Sequence, residues 1–128
     1  MNLRSLTKSP ITRELLQRYA VASTDPNQIH LDDAVAKAVG LPGVIAHGML
    51  TMAFMGEFLH QAIFDHSPKN GRIIEFSCRF KAMTFPGDII SIAGEATPQK
   101  DNQFNVEIEA RNQKNEITAT GTAVLKLP

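Results

Sequence analysis

The sequence predicts an α+β domain in which a curved antiparallel sheet wraps one long, mostly buried helix, with short helices inserted before it. Three observations carry that expectation. The apolar run from Val44 to Phe64 has helical spacing, the periodicity changes to alternation beyond Ile74, and the segment before it holds capped helical stretches broken at Pro26. At 128 residues the chain is long enough for one principal core and too short for two full domains, so 1–128 is read as a single unit.

In chain order, Thr12 can cap a helix through Glu14, Leu15, Leu16 and Tyr19, because a threonine oxygen satisfies the free amides of a first turn. That helix should fray near Ser23. Pro26 disfavours helix at Asp25, which makes Asp25 to His30 a rigid loop. A second short helix over Asp32 to Val39 ends at Gly40, with Pro42 beyond. From His47 to Leu59, Met49, Leu50, Met52, Ala53, Phe54, Met55, Phe58 and Leu59 point in nearly every direction of a helical wheel. A helix apolar on most sides has to be covered on most sides.

The cover lies downstream. Ile74, Phe76, Cys78 and Phe80 share one face of a strand while Glu75, Ser77 and Arg79 share the other, and Phe104, Val106, Ile108 and Ala110 alternate against Asn105, Glu107, Glu109 and Arg111. Asp88 to Ala96 and Glu116 to Leu127 read as further strands, the last with Ile117, Ala119, Gly121, Ala123 and Leu125 inward. Turn residues at Ser67 to Gly71, Pro86-Gly87-Asp88, Pro98 to Asn102 and Gln113 to Asn115 separate them. Four consecutive strands with short links predict an antiparallel meander. One buried helix wrapped by such a sheet is the hotdog arrangement.

Composition narrows the function classes. Thirteen Lys plus Arg balance thirteen Asp plus Glu, whereas phosphate-driven binding leaves a basic excess, so no nucleic-acid partner is expected. His47, Thr51, Glu57, His60 and Gln61 interrupt the apolar run at a cost a bilayer centre resists, and no membrane span is expected. The single cysteine, Cys78, cannot form an internal disulfide, and the chain opens without a leader-like stretch, which points to the cytoplasm.

The chemistry-bearing residues concentrate in two places. In YAVASTDPNQIH, Tyr19 to His30, a carboxylate (Asp25), an amide (Asn27) and an imidazole (His30) occur within six residues. A carboxylate beside an imidazole can hold one water and move its protons, although Asp and Asn are also ordinary turn formers. Farther on, Ala46-His47-Gly48-Met49 opens the buried helix. A helix start presents unpaired amides and positive dipole density, and Gly48 leaves that start open to a carbonyl oxygen gaining charge. Gly48 equally suits tight backbone packing.

These two segments, followed by Phe85-Pro86-Gly87-Asp88, resemble the MaoC-like hotdog family of (R)-specific enoyl-CoA hydratases and (3R)-hydroxyacyl thioester dehydratases. The resemblance runs from about Tyr19 to Leu127. Against the family pattern Y-x-x-x-S-G-D-x-N-P-I-H, the chain carries Tyr19, Ser23, Asp25, Asn27, Ile29 and His30, and A-H-G-M matches at Ala46 to Met49. Thr24 stands where the pattern has glycine and Gln28 where it has proline. Thr24 disfavours any positive φ that a glycine supplies.

The resemblance implies that Asp25 and His30 form the catalytic pair, that Asn27 orients them and that the Gly48 amide is the oxyanion donor. Ser23, His47, Met49 and Phe85 are the expected substrate contacts, although a packed, hydrogen-bonded side chain is the first expectation for His47. It implies reversible water addition to a trans-2-enoyl thioester, carried by coenzyme A or acyl carrier protein, without a cofactor. A hotdog thioesterase and a non-catalytic acyl-binding subunit of a heterodimer are the rival expectations. An open sheet edge predicts self-association, as a homodimer or with an unlike mate.

Other candidates read as structural. His60 and His66 are expected at the surface or a helix end, and the His30, Asp32 and Asp33 spacing matches no zinc pattern, so no metal is expected. Arg79 and Lys81 either meet carrier phosphates or solubilise a strand face. Met49, Met52, Met55 and Met83 line a core or an acyl tunnel.

Overall fold

The computed structural model describes residues 1–67 and 69–128; Pro68, within the turn expected at Ser67 to Gly71, lies outside the described residues. The chain runs β1 (Leu6–Thr7), α1 (Arg13–Ala22), a 3-10 turn (Gln28–His30), α2 (Asp33–Ala38), α3 (Gly48–His66), β2 (Arg72–Phe80), β3 (Ser91–Pro98), β4 (Gln103–Arg111) and β5 (Ile117–Lys126). One antiparallel sheet, in the order β1-β3-β4-β5-β2, curves around α3. This is the hotdog arrangement. No helix among the described residues is long and apolar enough to cross a membrane.

Local signals place the small helices. Thr12 caps α1 by accepting the Leu15 amide, and Asp32 caps α2 by accepting those of Ala34 and Val35. Both helices close with the same hydrogen-bond pattern. In α2, Gly40 at φ +92° donates to Lys37 O and Leu41 to Ala36 O; in α1, Thr24 donates to Val21 O and Asp25 to Ala20 O. Thr24 therefore takes the left-handed position after all, at φ +56°. The sequence argues against that conformation for a β-branched residue, and the hydrogen bonds of the motif hold it there.

The buried side of α3, with Leu50, Phe54, Met55, Phe58, Leu59, Ala62 and Ile63, meets Ile92, Val106, Ile108, Ala119, Ala123 and Leu125 from the sheet. Phe58 approaches closely because Gly94 on β3 has no Cβ; one built there would stand 2.6 Å from Glu107 O and 3.1 Å from the Phe58 ring. The expectation of cover on most sides needs correction. Met49, Ala53, Glu57, His60 and Phe64 form an exposed stripe, and the N-terminal arm meets this side of α3 through the ion pairs Lys8–Glu57 and Arg4–Asp65 and through Gln61 Nε2, which donates to Arg4 O.

The four-strand meander is also corrected. Only β3, β4 and β5 follow one another through tight turns, with Asp101 and Asn102 both at positive φ in the first. The connection 81–90 is too long for a hairpin. It crosses the start of α3, where Ala46 N donates to Thr84 O, and delivers β3 to the opposite edge, so that β2 pairs with β5. Asp88 to Ile90 belong to this crossing rather than to a strand, and β1, too short to show alternation, adds the outer edge. A register shift between Ile73 and Glu75 turns Ile74 outward, leaving Ile73 with Phe76 and Cys78 on the inner side. Phe80, at the end of the strand, keeps to the α3 side with its ring against Gly48, but is half exposed.

Candidate active site

The end of α1 and the caps that follow it fix the first cluster. Asp25 leaves the closing turn of α1, and its Oδ1 accepts the Asn27 amide at 3.3 Å. Asn27 Oδ1 in turn accepts the Ile29 amide at 3.2 Å, capping the 3-10 turn that carries His30. Asn27 is thus spent on shaping the loop that presents the other two. His30 is buried, whereas the Asp25 side chain is half exposed, and His30 Nε2 lies 4.0 Å from Asp25 Oδ2.

The tautomers follow from the partners. His30 Nδ1 lies 2.8 Å from the Ile45 carbonyl, which can only accept, so Nδ1 carries the proton and a neutral His30 turns its bare Nε2 toward Asp25. His47 Nε2 lies 3.1 Å from the main-chain carbonyl of Asp25 and must likewise donate. Among the described residues its buried Nδ1 has no hydrogen-bond partner. The His47 ring stacks on His30 with centroids 3.7 Å apart and meets the edge of Tyr19 at 4.9 Å. Burial pushes His47 below the ordinary imidazole pKa, and the bond to Asp25 O opposes this.

The second cluster begins one residue later. The strap 44–47 is held by Val44 N on Asp33 Oδ1, Ile45 N on Ile29 O and Ala46 N on Thr84 O, and Asp33 is itself paired with Arg13. These contacts hold the Asp33 carboxyl below its usual pKa, the Val44 amide most and Arg13 next. The strap delivers Gly48 to the first position of α3, where its amide and that of Met49 have no intrahelical acceptor. His47 caps the helix without a side-chain bond to it. A cavity of about 320 Å³ opens at this helix start, lined by His47, Gly48, Thr51, Phe80, Met83 and Thr118 among others.

His47 links the two clusters: it stacks on His30, bonds the Asp25 carbonyl and lines the Gly48 cavity, whose lining includes neither Asp25 nor His30. The other expected contacts are placed differently. Ser23 Oγ donates to Tyr19 O at 2.6 Å within the end of α1. Met49 is exposed on the rim of the helix start, and Phe85 lines a separate hollow with Arg13, Lys37 and Pro42. Lys81 lines the Gly48 cavity, whereas Arg79 lies on the outer face of the sheet. That face holds a larger concavity of about 660 Å³ bordered by Glu95, Glu107 and Glu109. Its carboxylates make it a poor seat for an anionic ligand. Met55 is core, while Met83 reaches the cavity. His60 and His66 sit on the exposed side of α3 and at its end. Sequence reasoning gave Tyr19 no contact with a site histidine; its place in the motif was the available signal.

Asp25, His30 and His47 offer ligand atoms within 4.8 Å of one another. Carbonyls engage one nitrogen of each ring and the remaining His47 nitrogen is enclosed, which leaves His30 Nε2 and the Asp25 carboxylate, one ligand short of a three-ligand catalytic zinc. Asp32 and Asp33 are occupied in the cap of α2 and in the strap. The donor set suits proton movement.

Known proteins share this fold and part of this sequence. The family model described as "MaoC like domain" matches residues 2–119. The (R)-specific enoyl-CoA hydratase of Aeromonas caviae is 32% identical over 113 residues, covering 86% of this chain and 81% of that protein. Fatty acid synthase 2 of Mycosarcoma maydis is 34% identical over 114 residues, but the chain spans only 3% of its length. Among solved structures, the (R)-hydratase from A. caviae involved in PHA biosynthesis superposes with a TM-score of 0.86 at 26% identity, covering 100% of this chain and 98% of that one.

Proposed function

The chain belongs to the MaoC-like domain family, and on that premise we propose that it is a hydro-lyase interconverting trans-2-enoyl and (3R)-3-hydroxyacyl thioesters of coenzyme A or acyl carrier protein. The observation that carries this reading is the pairing of a bare imidazole nitrogen with a carboxylate across 4.0 Å, beside a helix start with free amides. That gap is too long for a direct hydrogen bond and suits one water donating to both groups. In the hydration direction the water oxygen attacks C3. The pair takes one proton from the water and returns one to C2, while the Gly48 amide meets the charge that builds on the thioester oxygen. A donor of that kind is worth about 2.7 to 4 kcal/mol of transition-state stabilisation. The scheme uses no metal or redox cofactor.

The unit proposed to act is one hotdog domain over 1–128, working as a dimer. β2 is the last strand of the sheet order, so its outer edge is unpaired, and Ile74, Phe80, Met83 and Met49 are exposed large apolar residues along it and at the Gly48 end. A second copy covering this edge is the simplest mate, and an unlike hotdog subunit the alternative.

Purified protein is expected to hydrate crotonyl thioester, read as loss of the conjugated enoyl absorbance. Asp25→Asn and His30→Ala are expected to abolish nearly all turnover while the chain stays folded. Activity persisting in both variants would reject the pair, and release of free thiol without loss of the enoyl group would assign a thioesterase instead.

A further inference from the structure

We propose that His47 is a positioning residue, tying the Asp25–His30 loop to the helix start at Gly48 through its Nε2–H bond to the Asp25 carbonyl and its stack on His30. The role rests on the hydratase reading above. It specifies the packed, hydrogen-bonded reading of His47 over the substrate contact: the residue is 2% exposed, with His30 against its face and Tyr19 against its edge.

Two features show which part of the imidazole is used. Nδ1 is enclosed with no hydrogen-bond partner among the described residues, a cost that an apolar ring would avoid. The polar ring is therefore retained for its other nitrogen, which holds the main-chain oxygen of the residue bearing the carboxylate. The backbone gives the second feature. His47 is the cap of α3, yet its side chain makes no bond to the helix; Ser, Thr or Asp there would fold back onto first-turn amides. By turning away, His47 leaves the helix start open and braces the loop. Burial pushes the pKa of the ring down, which favours the neutral form that donates from Nε2.

The test compares variants by reach and shape. Gln carries an amide N–H about where Nε2 stands, Asn places it one methylene short, and Phe keeps the ring without a donor. A misplacement near 1 Å costs up to about 100-fold in rate, so His47→Phe and His47→Asn are expected to lower kcat about 10- to 100-fold with KM little changed. His47→Gln is expected to recover most of that loss. If Phe does not fold, the Asn and Gln pair still decides. Loss confined to KM, Phe retaining wild-type kcat, or Gln as impaired as Asn would overturn the assignment.

A second readout is independent of turnover. Ring ¹⁵N shifts of the wild-type chain are expected to show His47 as the Nε2–H tautomer at neutral pH, and the Nδ1–H tautomer of His47 would refute the tether. Wild-type protein inactive on every enoyl thioester would sink the hydratase reading while leaving this result to stand on its own.

Discussion

Thr24→Gly should stabilise the protein. Thr24 occupies the position after α1 at φ +56°, with Thr24 N on Val21 O and Asp25 N on Ala20 O, and Gly40 fills the equivalent position after α2 at φ +92°. The left-handed region costs a residue bearing a Cβ roughly 1–2 kcal/mol. Glycine removes that cost and returns about 0.5–1 kcal/mol through its freer unfolded chain. The Thr24 hydroxyl donates only to the neighbouring Ser23 carbonyl at an exposed site, where water can replace it. The net expectation is a gain of about 0.5–1 kcal/mol, or roughly 2 to 4 °C in Tm. Gly40→Thr should lose a similar amount, because a Cβ at Gly40 meets nothing within 4 Å and only the backbone responds. Calorimetry and urea unfolding at fixed protein concentration read both changes. Thr24→Gly destabilising the chain, or Gly40→Thr leaving it unchanged, would refute the reasoning.

Three further outcomes follow from packing, protonation and the open edge. Gly94→Ala puts a Cβ against the Glu107 carbonyl and the Phe58 ring, so urea unfolding should show a loss of about 2–3 kcal/mol, and a loss below 0.5 kcal/mol would contradict the close approach of β3 and α3. His47 has a folded pKa below its unfolded value, so the unfolded chain binds the proton first. The stability linked to it is complete above about pH 6.5 and declines as pH falls through the window below; His47→Gln should flatten that slope, and an unaltered slope would count against burial as its cause. Phe80→Lys, at the end of the free edge of β2, should shift sedimentation toward monomer; a variant that dimerises like the parent would move the interface elsewhere.

Much of the fold is legible because its signals are local. Thr12, Asp32 and Gly40 mark helix ends through bonds made within a few residues. Alternation over Phe104 to Ala110 marks which face of β4 is buried. The neighbour of β2 is not local information: it depends on the crossing at 81–90, whose anchors at Ala46 and Ile11 lie far away in sequence. The outward turn of Ile74 follows from a register shift against β5, invisible in β2 alone.

The same distinction runs through the candidate site. Asp25, Asn27 and His30 are joined by bonds within six residues, so their proximity could be read directly. The part played by His47 could not. Its partners are the Asp25 carbonyl and the Tyr19 and His30 rings, brought together only when the strap 44–47 docks on the 3-10 turn. Ser23 and Phe85 look like site residues in the motif, yet the hydroxyl of one is used by α1 and the ring of the other lines a different hollow.

The most direct test is a crystal structure with an unreactive enoyl thioester analogue. The account predicts the thioester oxygen within about 3 Å of the Gly48 amide, with C2 and C3 over the space between His30 Nε2 and Asp25 Oδ2. An analogue seated in the acidic trough on the outer face of the sheet, or bound at Gly48 with its double bond beyond reach of both side chains, would contradict it.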